Sequence, residues 1–270
     1  DAARAAGAGP LRPLAPEAAE ADLPDGDPGR LAAARAAMAG AAADANAVAL
    51  AGRDKRLLVA DMDSTIIGVE CIDEIADLAG VKPQVAAITE AAMRGELDFE
   101  GALAARVALL EGLEEAALAQ VFAERVRLNP GAATLVRTMA ARGAATALLS
   151  GGFTYFTSRV AALAGFAEHH ANRLEAREGR LTGRVVPPVF GREGKRARLE
   201  ALAAERGLPL SAAVAVGDGA NDLAMVQAAG LGVAWRAKPA LAEAADARLD
   251  HSDLSAILHL VGAPRADWAA

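Results

Sequence analysis

Three short apolar runs in this chain each end on polar residues, and that pattern constrains the fold more than any other feature. Leu57-Leu58-Val59-Ala60 runs into Asp61-Met62-Asp63-Ser64-Thr65. Residues 145–149 run into Ser150-Gly151-Gly152, and residues 212–216 into Gly217-Asp218-Gly219. Runs of this length read as strands buried on both faces. Between them, 132–142, 154–164 and 193–206 read as helices, 167–173 as a strand, and 174–186 as a hairpin turning at Glu178-Gly179. Beyond them, 222–229 and 252–261 read as helices and 231–234 as a strand. Such alternation predicts an α/β fold: a parallel sheet with helices on both faces. In such sheets ligands bind beyond the carboxyl ends of the strands, so the polar strand ends should meet at one crevice.

The stretch from 70 to 127 breaks the alternation. Ile72, Ile75, Ala76 and Ala79 recur at helical spacing before Gly80. Val85, Ile88 and Met93 mark a second helix. Leu103, Val107 and Leu110 mark a third behind a cap at Asp98, and Leu118, Val121 and Phe122 a fourth. Four short helices after one strand form a separate helical module. The chain therefore divides into a main α/β domain, 51–270, with its core at 51–68 and 129–270 and an inserted module at about 69–128. Residues 1–50, punctuated by prolines, read as a linker or the tail of an incomplete domain, with a helix at 30–40 and a short strand at 47–50.

A net charge of −7 argues against nucleic acid or an anionic membrane as partner. No stretch approaches the apolar length that spans a bilayer. No basic segment followed by an apolar core opens the chain, and its one cysteine, Cys71, cannot form an internal disulfide. The expectation is a reducing, cytoplasmic setting.

Residues two apart at a strand end point to the same side, so Asp61 and Asp63 can face one cavity. Two close carboxylates need a cation or a shared proton. The pair is therefore a candidate Mg²⁺-assisted nucleophile and acid; equally, the five residues read as a polar loop capping a helix. Ser150-Gly151-Gly152 offers a hydroxyl and unhindered backbone N–H groups to an anion, or is an ordinary strand-to-helix turn. Asp218 and Asp222, four apart with Asn221 between, supply hard oxygen ligands suited to Mg²⁺. Their alternative is a pair of acids answering a helix dipole. Lys195, at a helix start, can face a phosphate or hold a carboxylate; beside Arg196 and Arg198 it also reads as a solvated lysine. Glu70 and Arg106 carry opposite charges within the helical module, and surface exposure is their ordinary reading. Cys71, His169, His170, His251 and His259 have no metal-ligand spacing.

In order, Asp61-Met62-Asp63-Ser64-Thr65, Ser150, Lys195 and Gly217-Asp218-Gly219-Ala220-Asn221-Asp222 resemble the four motifs of the haloacid dehalogenase superfamily. Val69-Glu70-Cys71-Ile72-Asp73-Glu74, Ile88-Thr89-Glu90-Ala91-Ala92-Met93-Arg94-Gly95, Asp98-Phe99-Glu100 and Ala171-Asn172-Arg173-Leu174 are similar to its phosphoserine-hydrolysing branch. The resemblance covers roughly residues 55–262. It implies a Rossmann-like parallel sheet with an inserted helical-bundle cap, and a Mg²⁺-dependent phosphatase releasing L-serine from O-phospho-L-serine, the last step of serine biosynthesis. Asp61 would be the nucleophile forming an aspartyl-phosphate, and Asp63 the acid and base. Ser150, Gly151, Gly152 and Lys195 would hold the phosphoryl group, with Asn221 also at the substrate. Asp61, the Asp63 carbonyl and Asp218 would bind the metal, supported by Asp222. Glu70 would take the substrate ammonium, Arg106 its carboxylate, and Met93 and Phe99 would close the pocket. A related phosphatase acting on another small phosphomonoester, such as phosphohomoserine, is the nearest competing reading. A signalling receiver needs neither Asp63 nor a helical cap. A binding protein without catalysis would have lost one of Asp61, Asp63, Lys195 or Asp218, and all are present.

Overall fold

A computed structural model describes every residue except Pro24, Gly26 and Ala270, and every side chain but those and Met93. The first fifty residues contain α1 (Ala2–Ala5), a two-stranded antiparallel sheet of β1 (Arg12–Ala15) and β2 (Ala18–Glu20), and α2 (Pro28–Ala37). Asp27 caps α2 by accepting the Gly29 N–H at 2.8 Å, with proline at the first helical position. The strand expected at 47–50 does not form. Flanking polar groups bind the main domain instead. Asp44 accepts the backbone N–H groups of Asp250 and Ser252 at 2.9 and 2.8 Å. The Asn46 amide donates to the Arg248 carbonyl at 2.9 Å and accepts the Arg248 N–H at 2.8 Å.

β3 (Leu57–Ala60) follows, then the cap helices α3 (Cys71–Leu78), α4 (Lys82–Met93), α5 (Phe99–Ala108) and α6 (Ala116–Arg125). The chain continues through α7 (Ala132–Ala141), β4 (Ala145–Phe153), α8 (Thr154–Ala164), β5 (Glu168–Arg177), β6 (Arg180–Val186) and α9 (Arg192–Glu205). It ends with β7 (Ala213–Gly217), α10 (Leu223–Ala228), β8 (Leu231–Trp235), α11 (Pro239–Ala244), β9 (Ala247–Leu249) and α12 (Ala256–Leu260). The elements α11 and β9 are too short for a periodic pattern to declare them. Among the described residues, no helix is long and apolar enough to cross a membrane.

The main sheet has the order β6-β5-β4-β3-β7-β8-β9, parallel except for β6. Leu57 pairs with Ala145 on one side and Ala213 on the other; Ala60 pairs with Leu148 and Val216. The tips of β4, β3 and β7 are therefore level, and chain order reverses at β3, the place where sheets of this kind bind their ligands. All of β3 is buried. Leu58 and Ala60 face α7, α8 and α12 through Leu135, Val160 and Ile257. Leu57 and Val59 face α9, α10 and α11 through Leu199, Met225 and Leu241. Each fully buried Leu or Val of β3 contributes about 1.5–3 kcal/mol.

The cap rejoins the sheet at two places. At its base, Ile67 bridges Leu128, and the Asn129 N–H donates to the Ile66 carbonyl at 2.8 Å. Along β6, the Gly112 N–H donates to Leu181 O and the Leu181 N–H to Leu113 O, both at 2.8 Å. The β5–β6 turn uses positive φ at Glu178 (53°) and Gly179 (76°), the twist a two-residue hairpin loop requires.

Candidate active site

Asp61 leaves the tip of β3 fully committed to its neighbours. Its Oδ1 accepts the Met62 N–H and lies 2.7 Å from Lys195 Nζ; the Asn221 amide donates to Oδ2 at 3.3 Å. Lys195, in the first turns of α9, is 0% exposed. A buried ammonium is costly unless paired, and this one lies between Asp61 and, at 2.6 Å, Asp222 Oδ1. Burial works to lower its pKa; the two carboxylates outweigh burial and drive it up. Asp222 Oδ2 accepts the N–H groups of Asp218 and Gly219, each at 3.2 Å. That approach needs glycine at 217, where a Cβ would sit 2.5 Å from the Asp222 carboxylate. Asp218 accepts the Thr65 hydroxyl at 3.3 Å; burial, then Asp222, raises its pKa to about 6.

Oxygens of Asp61, Asp218 and Asp222 lie within 4.8 Å of one another. With all three ionised, the one buried ammonium of Lys195 would leave two negative charges uncompensated. Burial, followed by the charge of Asp222, holds the Asp61 pKa well above the carboxylate range. Hard oxygens with surplus negative charge suit a small divalent cation.

Asp63 stands beside this cluster but is not part of it. The chain makes a wide turn over Met62–Ile66, with Ser64 in the left-handed region at φ 56°. That turn sends the Asp63 carboxylate to the Cys71 N–H at 2.9 Å and to the Ser150 hydroxyl, which donates at 3.0 Å. Burial raises its pKa against the pull of these bonds. The two carboxylates of Asp61-Met62-Asp63 therefore sit in unlike settings: one salt-bridged to an ammonium, the other hydrogen-bonded to neutral donors.

Ser150 lies where β4 departs from regular register with β5, between Leu149 and Phe153. Its Oγ accepts the Gly152 N–H at 2.8 Å. Gly152 has no room for a side chain: a Cβ would come within 2.6 Å of Asp63 Oδ2. Asn172, buried on β5, donates through Nδ2 to Gly151 O (2.8 Å) and Phe190 O (2.9 Å), and accepts the Phe190 N–H at 2.7 Å.

On the cap side, Glu70 accepts the Ser64 hydroxyl at 2.6 Å. Glu70 is an exposed residue, but the protein atoms crowding its carboxylate, then Asp63, raise its pKa to about 7. Phe99 lays its ring across Gly151 and Gly191, where added Cβ atoms would meet it at 3.2 and 2.8 Å. Arg106, half-buried on α5, donates to Ala102 O at 3.2 Å; burial lowers its pKa, opposed by Asp73 and Glu70. Met93 ends α4, and its side chain is outside the described set. Thr65 and Asn172 are site neighbours that sequence reasoning did not assign. Thr65, four residues after Asp61, signals itself only through its place in the loop.

Residues 58–227 match the haloacid dehalogenase-like hydrolase family, and the chain belongs to that family. Within it, the chain is 49% identical over 224 residues to a phosphoserine phosphatase of Streptomyces coelicolor, covering 83% of this chain and 54% of that protein. It is 47% identical to the phosphoserine phosphatase of a Polaromonas species, over 77% of this chain and 90% of that protein. The chain thus spans about half the length of the first relative and nearly all of the second. A solved structure described as a phospho-aspartyl intermediate analogue of phosphoserine phosphatase superposes with a TM-score of 0.71 at 40% identity, covering 76% of this chain and 98% of that one.

Proposed function

We propose that the chain is a Mg²⁺-dependent phosphatase that hydrolyses O-phospho-L-serine to L-serine and phosphate. The observation that carries this reading is the division between Asp61, paired with Lys195, and Asp63, paired with Ser150. Asp61 attacks phosphorus, forming a carboxylate-oxygen–phosphorus bond while the serine oxygen leaves. Asp63, held by the Ser150 hydroxyl and the Cys71 N–H rather than by an ammonium, gives the leaving oxygen its proton. It then takes a proton from the water that attacks the aspartyl-phosphate, which restores Asp61. Lys195, the Ser150 hydroxyl and the Gly151 and Gly152 backbone hold the phosphoryl oxygens. Asp61 and Asp218, with the Asp63 carbonyl, would hold Mg²⁺; when bound it neutralises charge on the carboxylates and phosphoryl oxygens. Asp222 supports them by fixing Lys195 and the 218–219 backbone. Asn221 holds Asp61 Oδ2 at the substrate's edge. The relatives' names and the aspartyl-phosphate analogue support the substrate and the covalent route. A cytoplasmic setting belongs to the same reading, in keeping with a buried, unpaired Cys71.

Phosphate release across a panel of small phosphomonoesters, phosphohomoserine included, with and without Mg²⁺, tests the whole reading. Phosphoserine should be preferred and chelation should stop turnover; a flat panel refutes the specificity. At the alcohol end, Glu70 pairs with the ammonium and Arg106 with the carboxylate, while Phe99 closes the pocket. Arg106→Ala should raise KM for phosphoserine on the order of 10- to 100-fold, the scale of one charged hydrogen-bonded contact, and leave an aryl phosphate nearly unchanged. Equal loss on both substrates would remove Arg106 from the site.

Glu70 carries a pH signature. With its pKa near 7, it is ionised above that pH and loses its charge as pH falls through it. The ratio of kcat/KM for phosphoserine to that for an aryl phosphate should fall between about pH 8 and about pH 5.5, because kcat/KM reports the free enzyme. Glu70→Gln should flatten the ratio; an unchanged slope in that variant would rule Glu70 out as the ammonium ligand.

A further inference from the structure

We infer that Asn172 is a positioning residue that locks the phosphoryl-binding loop to the start of the Lys195 helix. It touches neither substrate nor metal in the proposed mechanism. The inference rests on the reading that Ser150-Gly151-Gly152 and Lys195 hold the phosphoryl group.

Two pieces of backbone need an external hold. One is Ser150–Gly152, lifted out of regular pairing by the irregularity in β4. The other is Phe190-Gly191, the irregular approach to α9. Both need glycine: Gly152 because of Asp63, Gly191 because of the Phe99 ring. Glycine leaves backbone free to move, so an outside anchor must fix it. Asn172 supplies that anchor with one amide. Its Nδ2 donates to Gly151 O and Phe190 O, and its Oδ1 accepts the Phe190 N–H. The amide is 1% exposed, so water cannot substitute for these partners.

The geometry reaches the chemistry by two routes. Fixing Gly151 O sets the peptide planes on either side of it, and so the direction in which the loop N–H groups point. Fixing Phe190 sets Gly191, whose carbonyl accepts the Lys195 N–H at 2.9 Å and opens α9. The Phe99 ring then rests on Gly151 and Gly191, the residues at and beside the two fixed peptides. A single side chain thereby ties the phosphoryl loop to the lysine helix. Only an amide can do this: aspartate lacks the two donors, and leucine lacks every polar atom.

The test compares Asn172→Asp and Asn172→Ala with the unaltered protein. Because the clamp serves the phosphoryl end, kcat should fall by the same factor, about 10- to 100-fold, on phosphoserine and on p-nitrophenyl phosphate. Inhibition by inorganic phosphate should weaken in parallel, while inhibition by L-serine stays unchanged. Loss confined to phosphoserine, unaltered phosphate inhibition, or failure of both variants to fold would each overturn the proposal. Should the unaltered protein prefer another phosphomonoester, the substrate assignment fails. The clamp still predicts an equal loss in kcat on that ester and on p-nitrophenyl phosphate, with weakened inhibition by inorganic phosphate, so the two failures are distinguishable.

Discussion

Asp61→Asn should abolish turnover, lowering kcat on the order of 10⁴-fold or more, the scale seen when a nucleophile is removed. The variant should fold. The amide keeps the size of the carboxyl, and Lys195 retains its 2.6 Å contact with Asp222. One of several crowded buried carboxylates is also removed, and with it the cost of its burial and its repulsion with Asp222. Rapid acid quench after mixing with phosphoserine should trap protein-bound phosphate in the unaltered chain and none in the variant. A retained burst of bound phosphate would move the nucleophile elsewhere.

Lys195→Met should cost stability as well as activity. The ammonium is wholly buried between Asp61 and Asp222. Its removal leaves two facing carboxylates, and breaking a buried pair from one side costs about 3–5 kcal/mol. The denaturation midpoint should fall accordingly. One of the stranded acids must take up a proton, so its folded pKa rises above the unfolded value. The native state then binds more protons than the unfolded one, and the variant's stability should climb as pH falls toward the unfolded carboxylate pKa. Adding Asp222→Asn should recover part of the stability without activity, because the two sites share one contact. An unshifted midpoint in Lys195→Met would mean that the buried triad carries no weight in folding.

The parts of this molecule legible in the sequence are those where one physical rule acts alone. Leu57–Ala60 had to be buried on both faces, and the glycine-flanked Asp218 had to lie at a strand end. The cap helices follow their apolar spacing to within a few residues, from Ile72 and Ile75 to Leu118 and Val121. Elsewhere the partner decided and the partner is remote. Val48 and its neighbours have strand-like composition, yet Asp44 and Asn46 draw the segment onto residues 248–252. The different partners of Asp61 and Asp63 follow a turn with a left-handed Ser64, a conformation no motif declares. Thr65 and Asn172 act through groups more than a hundred residues away or across a strand irregularity, beyond the reach of local pattern.

The contacts made by the cap loop and by residues 44–46 also bear on how this protein stays apart from its neighbours. A seven-stranded open sheet has two borders, and an unpaired border invites another chain to add to it. Here neither is bare. Along β6, Gly112 and Leu113 exchange backbone hydrogen bonds with Leu181, and Glu115 donates to Gly179 O. Along β9, the Asn46 amide imitates a strand by bonding both polar groups of Arg248. The same segments that complete the fold thus blunt both templates for intermolecular strand addition, so self-association by sheet extension requires one of them to detach first.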